Sequence, residues 1–310
     1  MPKLAVIIVS HQVRDLLRAC LGSVRAQVPR PDQVWVVENA STDGSAEMVA
    51  REFPEVRIVP SGENIGFARA NNLAMARADA DVFALVNPDT ELPSGALAVA
   101  VETLERHPGA GIVGVALANP DGSPQPSRFA YPDLVNLLVE SLGLHRLLVH
   151  AGFASPSAAP ERDGVDVRAA WVSGACMLAT RELFARTGGF DETLFMYGEE
   201  LDWCRRAEAA GFSVWHTSRA RVLHHGGASG AAERGPLFVR NVEGRLAFMR
   251  RHRGAGQAAV ARELLTFGAA ARWCVWRLRA WLEGGSRRER TREQLERFAA
   301  VWAWRLRGGR

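Results

Sequence analysis

Three acidic side chains fall within four residues in the run Gly198-Glu199-Glu200-Leu201-Asp202. Crowded carboxylates repel one another, and the repulsion raises at least one pKa toward that of a general base. The same acids would also complement the positive end of a helix dipole, so both readings stand. A second carboxylate, Asp89, closes the tripeptide Asn87-Pro88-Asp89 after a short apolar run. There it is either a ligand for a hard divalent cation, which prefers oxygen donors, or an ordinary turn residue. His224, in His224-His225-Gly226-Gly227-Ala228-Ser229, follows another apolar stretch and precedes a glycine-rich turn, a favourable setting for an imidazole ligand. In Val37–Ser45, Glu38 and Asn39 suit the polar edges of a base and ribose, while Asp43-Gly44-Ser45 reads equally as a helix start with a capping Asp or Ser.

These groups need a scaffold that gathers them. Apolar runs at Leu4–Val9, Gln33–Glu38, Val56–Val59, Val82–Val86 and Ile112–Leu117 predict strands. Helical periodicity lies between them over 13–27, 44–53, 67–78 and 95–107. This alternation predicts an α/β fold with a mostly parallel central sheet. Side chains at the carboxyl ends of such strands face the crevice where open α/β sheets bind ligands. Beyond residue 118 the rhythm breaks. Residues 119–132 and 154–163 read as loop, 134–148 as helix, 171–179 as an apolar stretch interrupted by Gly174, 199–210 as helix and 212–216 as strand.

The motifs and their order resemble glycosyltransferase family 2, with its GT-A fold, and most of all its rhamnosyltransferase-type members. The resemblance spans roughly residues 3–250. It rests on Val9-Ser10-His11, the 37–45 run, Asn64-Ile65-Gly66-Phe67-Ala68-Arg69-Ala70-Asn71-Asn72, Asn87-Pro88-Asp89, Gly174-Ala175 with Arg181, the segment 188–205 and His224 with Gly227 and Ser229. It implies that Ser10, His11, Glu38, Asn39, Asn64, Gly66, Arg69 and Asn87 line the nucleotide. Asp89, with His224, would hold Mg²⁺ or Mn²⁺ over the donor diphosphate. Glu200 would be the general base, with Glu199 as the alternative. Gly174, Asp202 and Trp171 would face the sugars. His11 stands where the family has Tyr, and Glu38 and Glu200 where it has Asp. The implied reaction is an inverting transfer, of rhamnose above all, from a dTDP- or UDP-sugar to a cell-envelope glycan or lipid-linked acceptor. A sugar nucleotidyltransferase would resemble G-x-G-x-R-x-x-P near its start, and residues 8–20 contain no such run. A non-catalytic module that binds nucleotide-sugar is the other reading, against which Asp89, Glu200 and His224 argue.

Composition sets the compartment and the partners. The chain of 310 residues is 47% apolar and 23% charged, as soluble globular proteins are. Cys20, Cys176, Cys204 and Cys274 show no paired spacing, which argues against a disulfide framework and fits a reducing, cytoplasmic setting. The net charge of +4 is uneven: from residue 240 onward there are 17 Arg and 6 Glu, leaving the remainder at −7. Within that tail, Val260, Leu264, Phe267, Ala271, Cys274, Leu278 and Leu282 recur at helical spacing, with Arg262, Arg272, Arg277 and Arg279 on the other side. A second amphipathic helix is expected over 289–306. The expected division is a catalytic domain over 1–250 and a basic, Trp-rich tail over 251–310. The tail suits the inner face of an anionic membrane, packing on the rest of the chain, or a homodimer face. No nucleic-acid recognition module is visible.

Overall fold

A computed structural model describes residues 1–144, 163–226, 234–282 and 288–309. The chain forms two compact units. One comprises residues 1–129, 161–195 and 199–229; the other comprises 130–160, 196–198 and 230–310. The segment from 130 and the helix Arg234–Arg253 group with the tail.

The first unit is built on β1 (Leu4–Ser10), α1 (Arg14–Arg25), β2 (Gln33–Glu38), α2 (Ser45–Glu52), β3 (Arg57–Pro60), α3 (Phe67–Arg77) and β4 (Val82–Val86). There follow β5 (Thr90–Glu91), α4 (Ala96–Arg106), β6 (Ala110–Ala118), β7 (Pro124–Gln125) and β8 (Arg128–Phe129). After α5 (Leu134–Ser141), which belongs to the second unit, come β9 (Asp166–Arg168), β10 (Trp171–Val172), β11 (Cys176–Thr180), α6 (Arg181–Thr187), α7 (Glu199–Ala209) and β12 (Ser213–His224). The main sheet runs β3-β2-β1-β4-β11-β6-β12-β5. The pairs β1–β2, β1–β4, β2–β3 and β6–β12 are parallel, and β11 lies antiparallel between β4 and β6.

The central strands are continuous apolar runs because both faces of the sheet are covered. Alternation along β1 sends Val6 and Ile8 into one core with Leu17, Leu21 and Val49. It sends Ala5, Ile7 and Val9 into the other, with Ala74, Leu183 and Trp203. Asp43 ties the starts of α1 and α2 together: its carboxylate accepts from Arg14 N (2.8 Å) and from Ser45 N (3.1 Å) and Oγ (2.6 Å), while Gly44 is the N-cap of α2.

Several expected boundaries move. The apolar stretch 171–179 is two strands, broken at Ser173-Gly174-Ala175. The strand expected over 212–216 runs on to His224, since its later residues pair with β6 and β5. The helix expected over 134–148 is α5, ending at Ser141; residues 145–148 lie outside the described residues, as do nearly all of 154–163 and the matching positions Gly227 and Ser229.

The second unit contains α5 and the helices α8 (Arg234–Arg253), α9 (Ala255–Leu282) and α10 (Arg288–Leu306). The predicted α9 stripe does not pack inward. Ala258, Ala261, Gly268 and Ala269 are the buried side, while Val260, Phe267, Leu278 and Trp281 are exposed, Trp281 by 83%. Small residues face inward because the helices approach closely: a Cβ on Gly268 would lie 2.5 Å from Ser141 Cβ.

Candidate active site

Register sets the framework of the site. Ser10 at the end of β1 lies beside Glu38 at the end of β2, and β4 ends beside them in parallel. Ser10 is wholly buried, and its hydroxyl has no hydrogen-bond partner among the described residues. Directly beyond β1 and β2, Gln12 (φ 56°) and Ala40 (φ 61°) hold left-handed backbone, unusual for residues with a Cβ and frequent at functional sites. Cross-links hold these turns: Gln12 N donates to Ser41 Oγ, and Ser41 N donates to Glu38 Oε1 at 2.7 Å.

Asn39 ties the β2 end to the Asn64-Ile65-Gly66 turn. Its Oδ1 accepts from Ile65 N at 2.9 Å and its Nδ2 donates to Asn64 Oδ1 at 2.9 Å. Asn64 Oδ1 also accepts from Gly66 N. Both amides expected on the nucleotide are thus engaged in shaping its loop. His11 Nδ1 lies 2.9 Å from Asn39 O, and Arg69 projects exposed from the first turn of α3. Gly66 (φ 80°) is set by proximity: a Cβ there would lie 2.6 Å from Phe195 O, which accepts from Phe67 N at 2.8 Å.

The Asn87-Pro88-Asp89 turn follows β4, and β12 delivers His224 to it by pairing with Thr90. Asp89, 4% exposed, places Oδ1 3.3 Å from His224 Nε2, and Asn87 Nδ2 is 3.5 Å from the same nitrogen. The other ring nitrogen, Nδ1, is 2.6 Å from Gln125 Oε1. An oxygen and a nitrogen donor therefore converge although far apart in sequence. Among the described residues no group of three or more His, Cys, Asp or Glu gathers as a cage. A two-ligand site fits a cation that takes its remaining ligands from phosphate oxygens and water.

The base candidates lie along the same edge. Asn87 N donates to Ala175 O at 2.9 Å, which fixes the 173–175 break beside the Asn87-Pro88-Asp89 turn. Against that break, a Cβ on Gly174 would be 3.8 Å from Glu200 Oε1. Glu200 and Asp89 are thereby linked through Gly174, Ala175 and Asn87. Glu199 is more deeply buried than its neighbour, 4% exposed against a half-buried Glu200, and its Oε2 has no hydrogen-bond partner among the described residues. Burial, and next the charge of Glu200, push its pKa well above the ordinary carboxylate range.

Asp202 is committed elsewhere. It is buried and pairs with Arg206 Nε at 2.7 Å, while Arg206 donates to Thr187 O and Gly189 O. That clamp holds the 187–189 turn, so at least one oxygen of the side chain expected to face a sugar is engaged by Arg206. Trp171 stacks on Phe129 with ring centroids 4.3 Å apart and 22° between planes. Both rings are half-buried, a pair of flat apolar surfaces beside the 173–175 break. Gln125 and Phe129 were missed in the sequence because both lie in a Pro-, Gly- and Ser-rich stretch that reads as loop; the Asp121-Gly122 pair was its one hairpin signal.

Residues 5–165, just over half of the chain, match Glycosyl transferase family 2. The chain belongs to that family. It is 31% identical over 237 residues to N-acetylglucosaminyl-diphospho-decaprenol L-rhamnosyltransferase of Mycobacterium tuberculosis, covering 72% of this chain and 76% of the relative. It is 23% identical to Rhamnosyltransferase WbbL of Escherichia coli K12, over 71% of this chain and 82% of that one. Among solved structures, the mannosyltransferase PcManGT from Pyrobaculum calidifontis, in complex with GDP-Man and Mn²⁺, superposes with a TM-score of 0.60 at 20% identity, covering 100% of this chain and 88% of that one. GalNAc-T7 with UDP, GalNAc and Mn²⁺ gives 0.59 at 14% identity, with 99% and 56% covered. These two show the GT-A type of fold. The chain is a family 2 glycosyltransferase.

Proposed function

We propose that this glycosyltransferase moves rhamnose, with inversion, from a dTDP- or UDP-linked donor to a hydroxyl of a lipid-linked cell-envelope glycan. The observation that carries the reading is the link from Asp89 and His224, through Asn87, Ala175 and Gly174, to Glu200. The 31% identity to a rhamnosyltransferase acting on a diphospho-decaprenol-linked sugar supports the donor sugar and the acceptor class.

The chemistry follows from the placement. Asp89 and His224 would hold a divalent cation, which when bound neutralises charge on the diphosphate leaving group. Ser10, Glu38 and the Asn39–Asn64 loop border the nucleotide. Glu200 takes the proton of the acceptor hydroxyl as its oxygen attacks the anomeric carbon. The bond from that carbon to the phosphate oxygen breaks on the opposite side, and its electron pair leaves with the diphosphate. One displacement inverts the centre, and no side chain becomes glycosylated. Trp171 and Phe129 offer a stacking platform to a sugar ring.

A thermal-shift panel of nucleoside diphosphates and their sugars, with and without Mn²⁺, tests the donor, because a ligand that binds only the folded state raises Tm by mass action. The dTDP- or UDP-sugar pair should stand out, and only with Mn²⁺. Glu200→Gln should retain the donor shift while kcat falls by at least ~100-fold, the scale of one general base. Turnover within a few fold of wild type in Glu200→Gln would remove the assignment.

The second unit supports a membrane-side location. Twelve of the 15 large exposed apolar side chains among the described residues lie in it. On α9 they form a stripe beside Arg277 and Arg279, the pattern of a helix resting on anionic lipid. Among the described residues no helix is long and apolar enough to cross a membrane.

A further inference from the structure

The turn between β6 and β7 carries polar groups that the reaction does not use, and they form one directed chain of hydrogen bonds ending at His224. Asp121 Oδ1 accepts from Ser123 Oγ at 2.6 Å and from Ser123 N at 2.9 Å. These bonds hold the Asp121 carboxyl below its ordinary range, so it is an ionised group that only accepts. Ser123 has a single hydroxyl proton and commits it there. Its oxygen is left to accept from Asn119 Nδ2 at 2.9 Å, and the Pro124 carbonyl, 3.5 Å away, lies on the same side of the amide. Asn119 Oδ1 therefore points the other way and accepts from Gln125 Nε2 at 3.1 Å. Gln125 Oε1 is then the atom facing His224 Nδ1 at 2.6 Å. Two lone pairs at that separation repel, so the hydrogen sits on Nδ1.

We propose that Asp121, Ser123, Asn119 and Gln125 form a tautomer lock that holds His224 as its Nδ1–H form and presents the Nε2 lone pair beside Asp89. The polarity of the chain originates in an acceptor-only carboxylate at its outer end and passes inward through groups that each have one remaining role. The consequence at the inner end is specific. In the Nδ1–H form, an Nε2 lone pair lies 3.3 Å from a carboxylate oxygen, an arrangement that favours a positive charge at that spot. The use of the lock for catalysis rests on the reading of Asp89 and His224 as cation ligands; the tautomer itself does not. Partners of this kind orient metal-binding histidines and tune their basicity. Gln125 is on this account a positioning residue, and the 119–125 turn has a purpose besides connecting two strands.

The test uses the full-length protein free of metal, with ¹⁵N-labelled histidine at mildly alkaline pH. Long-range proton–nitrogen NMR spectra assign the tautomer of His224, with His224→Gln marking its signals. The Nδ1–H form is expected, against the Nε2–H form that predominates for free histidine. Gln125→Leu should lose that signature, and its affinity for Mn²⁺ in the presence of UDP should fall about tenfold. Gln125→Glu, which keeps an acceptor facing Nδ1, should retain the Nδ1–H signature and keeps the test decisive if the leucine variant fails to fold. An Nε2–H signature in the wild type, or an unchanged Nδ1–H signature in folded Gln125→Leu, overturns the lock. A changed tautomer with unchanged Mn²⁺ affinity overturns its service to the cation. Should the wild type bind no Mn²⁺ at all, the cation reading fails while the spectra still decide the tautomer.

Discussion

Glu199, Glu200 and Asp202 share one helical turn, yet each has its own environment. Asp202 is paired to Arg206, Glu200 lies against Gly174, and Glu199 is buried with an oxygen unpartnered among the described residues. Sequence spacing showed that acids gather here; it held no information on which one burial would neutralise, because that depends on side chains brought in by other elements. The difference is measurable. Burial raises the Glu199 pKa above its unfolded value of 4.5, so folding favours the protonated form. The stability associated with Glu199 is full below pH 4.5 and is lost as pH rises through the higher folded value. Glu199→Gln should gain stability over the wild type as pH rises, a divergence that urea unfolding across a pH series will register. Asp202→Asn should act in the opposite sense and cost about 3 kcal/mol at neutral pH, since it leaves the Arg206 guanidinium without its buried counter-charge. Denaturant midpoints measure this, and donor affinity should change little if Asp202 is structural.

At the scale of elements, strands β1 to β4 were legible because apolar runs bounded by turn residues leave little ambiguity. The turns between them were legible as motifs but not as structures. Asn39 and Asn64 read as ligand groups, and that reading held no sign that they brace each other across two loops. Gly66 read as part of a binding turn, and its fixed requirement is the space beneath Phe195. Gly66→Ala should therefore destabilise by more than about 1 kcal/mol, from left-handed strain together with the clash. It should also weaken donor binding by displacing the start of α3. Unfolding curves and donor titration on the same variant separate the two effects. The 119–125 turn was harder to read: its β7 is two residues long, below the length at which alternation becomes a signal.

At the scale of the molecule, the apolar repeat of the tail was visible in the sequence, but the face it presents was not. Spacing identifies a stripe and does not say whether large or small residues turn inward. Here alanine and glycine do, and the large residues remain outside. The second unit also recruits α5, after which the chain returns to the first unit, and no local signal marks this. If α9 rests on lipid, the enzyme should co-sediment with vesicles containing phosphatidylglycerol and less with phosphatidylcholine alone. Binding should weaken with salt as surface charges are screened. Phe267→Asp with Leu278→Asp should abolish it without shifting Tm, because both residues are already exposed. Conversion of a dimer to a monomer by the same pair, measured by sedimentation, would instead assign the stripe to a second copy.

The antiparallel placement of β11 has a consequence for biosynthesis. Strands β1 to β4 have neighbours in one another as soon as they leave the ribosome, but β6 must wait for residues 176–180 and then 213–224 before either of its long flanks is occupied. Until then the nascent chain carries bare hydrogen-bonding edges on β4 and along both flanks of β6, of the kind that recruit stray strands. Chains terminated between residues 118 and 176 should thus aggregate during translation, whereas those extending past His224 should not.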